Sequence, residues 1–266
     1  MIRLSKVTGK NIIITGASSG IGKEIAMEIA SKGGFPILVA RSVDKLIDLQ
    51  QMLTVNYSIN CSYYVADLTN LDTWENVLAD IIFDHKSVDA IVNNAGVGIF
   101  NLLEESNWED TERMIQLNVL SLIKGVQVIL PHFLDRKQGH IVNIGSQAGK
   151  MSTPKSAVYS ASKHAVIGFS NALRLELRNK GIFVTTVNLG PVRTNFFDVA
   201  DPTGKYKKAV DKYMINPNQV AKQVVKYLFT NKREINLPRW MDAGSKLYQL
   251  FPSIVEKLLR KQFLKK

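Results

Sequence analysis

The sequence predicts an α/β fold, an open doubly wound parallel sheet of about seven strands with helices on both faces. Short β-branched runs alternate with longer segments of helical periodicity, which is the pattern of successive βαβ units. The first strand runs straight into a glycine-rich turn and then a helix. With 266 residues and 45% hydrophobic content, the chain is long enough for one such domain and too short for two.

The first strand is placed at 12–15, and the helix after it at 21–31, where Ile21, Ile25 and Ile29 recur at i, i+4 and i+8. Further strands are placed at 36–40, 62–65, 90–92, 140–144, 183–188 and, late in the chain, 234–237, with helix-length segments between them. Residues 198–216 read as one long irregular stretch, a length that suits a functional lid. In the tail, Ser253 and Glu256 form an S-x-x-E capping box after Pro252. Ile254, Val255, Leu258 and Leu259 then share one helix face, opposite positions that include Lys257, Arg260, Lys261 and Lys265. That helix is expected to pack on its own domain or on a second subunit, with weak peripheral membrane contact as the other reading.

Composition excludes several classes. The single cysteine, Cys61, rules out a disulfide framework and cysteine-based zinc, and His85, His132, His140 and His164 show no metal-ligand spacing, so no metal is expected. Residues 1–202 hold 19 Lys/Arg and 19 Asp/Glu, whereas residues 203–266 hold 15 against 4 and carry the entire net charge of +11. A neutral body argues against nucleic acid as a partner, while the tail alone could attract phosphate or an anionic membrane. The longest apolar stretch, 114–133, is interrupted by Gln116, Asn118, Lys124 and Gln127, so no bilayer span is expected. The apolar run before Gly16 is too short for a signal peptide, which points to a cytoplasmic protein.

Thr15-Gly16-Ala17-Ser18-Ser19-Gly20-Ile21-Gly22 lies between strand and helix, as a phosphate cradle would. Gly16 permits a tight turn, Gly20 lets the backbone approach a pyrophosphate, Gly22 allows close helix packing, and the helix dipole favours the anion. A purely structural turn is the competing reading. At the end of the second strand, Arg41 suits the 2′-phosphate of NADP(H), unless it is a surface arginine paired with Asp44. Tyr159 and Lys163 are four residues apart and share a helix face, so the ammonium is expected to lower the tyrosine pKa from about 10 towards neutrality, as acid/base chemistry on alcohols and ketones requires. Ser146 stands at the carboxyl end of a strand, where open α/β sheets put their sites, and Asn118 lies upstream.

This ensemble resembles the short-chain dehydrogenases/reductases of the compact single-domain type, from Val7 to about Trp240. The T-G-x-x-x-G-x-G pattern appears at 15–22, the adenine-side acid as Asp67 followed by Leu68, and N-N-A-G as Asn93, Asn94, Ala95 and Gly96. Asn118, Ser146, Tyr159 and Lys163 fall on the family's catalytic positions. The resemblance implies a Rossmann-type cofactor-binding and catalytic domain at 1–240 with its lid at 196–216, followed by a basic amphipathic extension at 241–266. It implies Tyr159 as general acid, Ser146 polarising the substrate oxygen, Lys163 on the nicotinamide ribose, and Asn118 holding a water that relays protons to Lys163. Val192 and Thr194 join Gly16, Ser18, Ser19, Gly20, Ile21, Gly22, Arg41, Asp67, Leu68, Asn94, Ala95 and Gly96 as cofactor contacts.

Two positions depart from the family's pattern: Leu189 stands where a proline is usual before Gly190, and Gly145 where a second serine commonly precedes Ser146. The expected function is NADP(H)-dependent interconversion of a carbonyl and an alcohol by a homodimer or homotetramer. A catalytically silent cofactor-binding scaffold or sensor and a nucleotide-sugar epimerase or dehydratase are the rivals. The resemblance implies that residues 148–158, 196–213 and the tail line the pocket, and Phe196, Phe197, Tyr206, Tyr213 and Met214 are apolar enough to suggest a hydrophobic small-molecule substrate, although such residues also form ordinary cores.

Overall fold

The computed structural model describes residues 5–263, with side chains as far as residue 258. Its strands are β1 (Asn11–Thr15), β2 (Phe35–Ala40), β3 (Tyr63–Val65), β4 (Ala90–Asn93), β5 (Gly139–Ser146), β6 (Ile182–Leu189) and β7 (Glu234–Leu237). The α-helices are α1 (Gly20–Ala30), α2 (Val43–Tyr57), α3 (Leu71–His85), α4 (Trp108–Ile115), α5 (Ser121–Arg136), α6 (Ala157–Glu176), α7 (Phe196–Ala200), α8 (Lys205–Val210), α9 (Pro217–Tyr227), α10 (Arg239–Leu250) and α11 (Pro252–Phe263).

All seven strands run parallel, in the order β3-β2-β1-β4-β5-β6-β7. Ile12, Ile13 and Ile14 of β1 are fully buried, because side chains alternate between faces and helices cover both. Ile12 and Ile14 join a core with residues of α1, α2 and α9, and Ile13 joins another with residues of α3, α5 and α6. The second core needs a glycine: a Cβ at Gly125 would lie 2.9 Å from Trp74 Nε1, which donates to the Ser121 carbonyl at 3.0 Å.

Two sequence expectations change, and so does the reasoning behind a third. The helix Trp108–Arg136, joined through a π-helical turn at Gln116–Leu120, is long and apolar enough to cross a bilayer by length and composition. Its residues Leu122, Val126, Ile129 and Phe133 lie instead in the second core. The stretch 198–216 is not irregular but broken into α7, α8 and a 3₁₀ turn at Asp211–Tyr213. Pro252 opens α11, so Ser253 lies inside the helix and is not its cap, consistent with the preference for proline in a helix's first turn. On α11 Val255 is buried, but Ile254 and Leu258 are exposed; the side chains of Leu259, Arg260, Lys261 and Lys265 lie outside the described residues.

Candidate active site

The strand order reverses between β1 and β4, and a cavity of about 680 Å³ opens beyond the carboxyl ends of the strands there. One end is the glycine turn. Gly16 and Gly20 have φ of +65° and +52°, in the left-handed region that side chains avoid. A Cβ at Gly22 would stand 2.3 Å from the Gly16 carbonyl oxygen and 2.7 Å from Asn94 Nδ2. That close approach lets Asn94 brace the turn: its Nδ2 donates to the carbonyls of Thr15 (2.9 Å) and Gly16 (3.3 Å), while the backbone N–H groups of Asn94 and Ala95 donate to Thr15 Oγ1 at 3.0 Å. Ser19 makes no side-chain capping bond, so the first N–H groups of α1 remain for an anion beside Ser18, Ser19, Gly20 and Ile21, which line the cavity.

Arg41 lines the same end with Ser42 and Lys45. Its ion-pair partner is Asp67, at 3.8 Å, and not Asp44. Burial pushes the Asp67 carboxyl up, but the backbone N–H and hydroxyl of Thr69, with Arg41 and Arg113, outweigh it and hold the pKa low. Leu68 is buried beneath, and Thr194 packs over Gly20, where a Cβ would lie 3.2 Å from the threonine methyl. Val192, buried, also reaches the cavity wall.

At the cavity's centre stand Ser146, at the end of β5, and Tyr159 and Lys163, one turn apart on α6. Ser146 Oγ accepts from the Ala148 N–H at 3.0 Å and donates to the Leu189 carbonyl at 3.3 Å. Lys163 Nζ donates to the Ile144 carbonyl at 3.0 Å and lies 5.9 Å from the Tyr159 ring centre. The expected lowering of the tyrosine pKa is not found: burial pushes Tyr159 up to about 12, and the nearby Ser146 hydroxyl, which favours the phenolate, offsets this only in part. Burial also draws Lys163 down to about 8. Desolvation dominates at both groups, and the phenol stays protonated at neutral pH.

Of the residues expected at the site, Gly22 and Asn118 stand outside the cavity lining. Gly22 serves packing. Asn118 sits in the π-helical turn, where its Oδ1 accepts from the Val97 N–H (2.9 Å) and its Nδ2 donates to the Val97 carbonyl (2.8 Å) and Ser162 Oγ (3.1 Å). Its side chain is a clamp on the loop after β4. Gly96 passes close by, where a Cβ would lie 3.0 Å from Asn118 Oδ1 and 3.6 Å from Lys163 Nζ.

The far end is apolar. Phe196, Phe197 and Tyr206 line it as expected, but Tyr213 and Met214 do not: Tyr213 packs on Trp240, 5.6 Å between ring centres. Sequence reasoning missed Phe100, which meets Tyr159 (5.6 Å) and Tyr206 (5.5 Å) edge-on and touches both Phe196 and Phe197. Its position four residues after Gly96, at the end of the N-N-A-G loop, was the available signal. Gly98 makes room for this cluster, since a Cβ there would stand 2.5 Å from Phe196 Cζ. Met241, in the tail expected at the pocket, closes the other wall over Gly190, where a Cβ would lie 2.6 Å from its sulfur. The two family departures have local reasons. Gly145 admits Asn188 Oδ1, which a Cβ would meet at 2.6 Å, and Leu189 ends β6 in register with both Ser146 and Leu237.

A doubly wound parallel sheet, a glycine turn at its crossing point, and a phenol, hydroxyl and ammonium at one cavity wall define a dinucleotide-binding α/β protein equipped for proton transfer. The chain belongs to the short chain dehydrogenase family, whose model matches residues 10–203. It is 33% identical over 239 residues to an uncharacterized oxidoreductase from Listeria monocytogenes, covering 87% of this chain and 94% of that protein. It is 31% identical over 238 residues to an NADP-dependent 3-hydroxy acid dehydrogenase from Schizosaccharomyces pombe, covering 87% and 91%. Among solved structures, a short-chain dehydrogenase from Sphingobium yanoikuyae in complex with NADPH superposes with a TM-score of 0.77 at 26% identity, covering 92% of this chain and 95% of that one.

Proposed function

We propose that this protein is an NADP(H)-dependent oxidoreductase that interconverts a carbonyl and an alcohol on a hydrophobic small molecule, with Tyr159 as general acid/base. The observation that carries this reading is that Ser146, Tyr159 and Lys163 open into the same cavity as the glycine turn and Arg41. The residues present fit a phosphorylated dinucleotide: the turn has no Cβ where a pyrophosphate approaches, and Arg41 and Lys45 supply cations beside the second strand. The Schizosaccharomyces pombe relative named as NADP-dependent and the NADPH complex from Sphingobium yanoikuyae support the same cofactor.

When bound, the dinucleotide would supply the hydride chemistry at the substrate carbon, and this chain's residues would orient the substrate oxygen and move its proton. Ser146 turns its hydroxyl from the long bond to the Leu189 carbonyl towards the substrate oxygen, while the Ala148 N–H keeps its lone pair engaged. Tyr159, protonated at neutral pH because burial holds its pKa at about 12, gives its proton to that oxygen in reduction. Lys163, still charged below about pH 8, stabilises the phenolate left behind. Asn118 fixes Val97 behind this wall. Phe100, Phe196, Phe197 and Tyr206 exclude water from the far end.

The test is Tyr159→Phe, assayed for NADPH turnover against a panel of ketones and for NADPH binding. Turnover is expected to fall at least about 100-fold with cofactor affinity unchanged, because a proton donor is lost and no cofactor charge. Retention of more than about a tenth of kcat would overturn the assignment. NADPH binding without turnover of any carbonyl by the unaltered protein would instead favour a silent scaffold.

A further inference from the structure

We propose that the C-terminal helix pair is a docking surface for an anionic lipid bilayer. Helix α10 exposes Trp240, Leu247 and Leu250, and Phe251 follows them at its end. Their spacing puts them on one side of the helix. The opposite side cannot be exchanged for it, because Asp242 is buried and accepts from buried Lys150 Nζ at 2.9 Å, which also donates to Glu234 on β7 at 2.7 Å. Helix α11 continues the surface: Val255 faces inward, Ile254 and Leu258 outward, the latter 74% exposed. The Tyr248 hydroxyl of α10 donates to Glu256 of α11 at 2.9 Å and ties the two helices together. An apolar stripe of this length is thus held outward by the fold.

Charge decides what covers it. Arg239, Lys246 and Lys257 are exposed around the stripe. The lid adds Lys205, Lys208 and Lys212, and it abuts α10 through Tyr213, whose ring lies 4.9 Å from Lys212 Nζ and 5.6 Å from the Trp240 ring. A second copy docked on this face across a two-fold axis would set these cations against themselves. An anionic bilayer supplies the missing charge, accepts the aliphatic side chains, and seats a tryptophan at the headgroup boundary.

The experiment is cosedimentation of the full-length protein with vesicles of phosphatidylcholine alone and of phosphatidylcholine mixed with phosphatidylglycerol. The mixed vesicles are expected to bind at least about tenfold more tightly at low salt, and high salt should release the protein. The double variant Leu250→Glu, Ile254→Glu should weaken that binding more than about tenfold, since two inserting side chains become anions. Unchanged NADPH turnover and melting temperature would show that it still folds. If it does not, Ile254→Cys serves instead: Cys61, the sole cysteine, is buried, so a polarity-sensitive dye reports position 254 alone and should shift to the blue on mixed vesicles. Equal binding to both vesicles, wild-type binding by the double variant, or no dye shift would overturn the proposal. So would an oligomer that the double variant dissociates, seen by light scattering, without vesicle binding by the unaltered protein.

Discussion

The two ends of the cavity are held by different physics. At the glycine end, backbone meets backbone: Gly22 packs on the Gly16 carbonyl, and the Asn94 amide and Thr15 hydroxyl tie the turn to the loop after β4. At the apolar end, side chains from segments far apart in the chain make the wall, with Phe100 from one loop, Phe196, Phe197 and Tyr206 from the lid, and Met241 from α10. Exposed ion pairs at the lid, Lys207 with Asp198 inside it at 2.9 Å and Asp211 with Arg193 just before it at 2.7 Å, contribute little in water. A site for a common phosphate group can rest on an unyielding backbone. A site for one particular substrate can change by side-chain replacement without disturbing that backbone.

The largest expected effect is at the rigid end. Gly22→Val has no space to enter, because it meets the Gly16 backbone carbonyl and the Asn94 amide that braces it, and it should destabilise the fold by more than about 3 kcal/mol, measured by denaturant unfolding. A loss under about 1 kcal/mol would show that the turn yields, and the contrast between the ends would collapse. Arg41→Asp stays at the same end but changes only a side chain. It should shift the preference for NADP over NAD by roughly 2 to 4 kcal/mol, or about 30- to 1,000-fold in kcat/KM, and equal use of NADH by the unaltered protein would make Arg41 a surface residue.

At the apolar end, Phe100→Ala should raise KM for a hydrophobic ketone about 5- to 30-fold while leaving NADPH affinity alone. A matching loss of cofactor affinity would mean that the ends are not separable. The smallest effect concerns the centre, where both ends meet. Lys163 must be protonated, so its contribution to reduction is present below its pKa of about 8 and lost as pH rises through it. The rate should hold below that pH and fall about tenfold per unit above it. In Lys163→Arg, which stays charged throughout, whatever activity remains should lose that fall.

The same contrast explains how much could be read before the structure. All seven strands and the positions of Ser146, Tyr159 and Lys163 were legible, because β-branched runs, glycine spacing and a four-residue separation are local patterns with one geometric meaning each. Phe100 was not, since an apolar residue in a loop looks alike whether it meets a core or a cavity. Lys150 was invisible for a related reason. In sequence it is one basic residue among many, yet in the fold it is buried and bonded to Glu234, Asn236 and Asp242 at 2.7 to 3.0 Å. Buried His140 is similar: its Nδ1 accepts from the Phe229 N–H and its Nε2 faces Thr185 Oγ1, and burial lowers its pKa to about 3.

By itself the sequence determined the doubly wound class, the glycine turn and the gathering of Ser146, Tyr159 and Lys163, because each depends on contacts within a few residues or on strand ends that the parallel sheet gathers along one edge. Tertiary structure alone decided the proton affinity of Tyr159, the shape of the apolar end, and which face of α10 meets solvent. The physical reason is that desolvation and packing depend on every neighbour. A lysine one turn away predicts a lowered phenol pKa, but the helices and aromatic rings that exclude water from Tyr159 come from all along the chain, and their combined effect raises it to about 12.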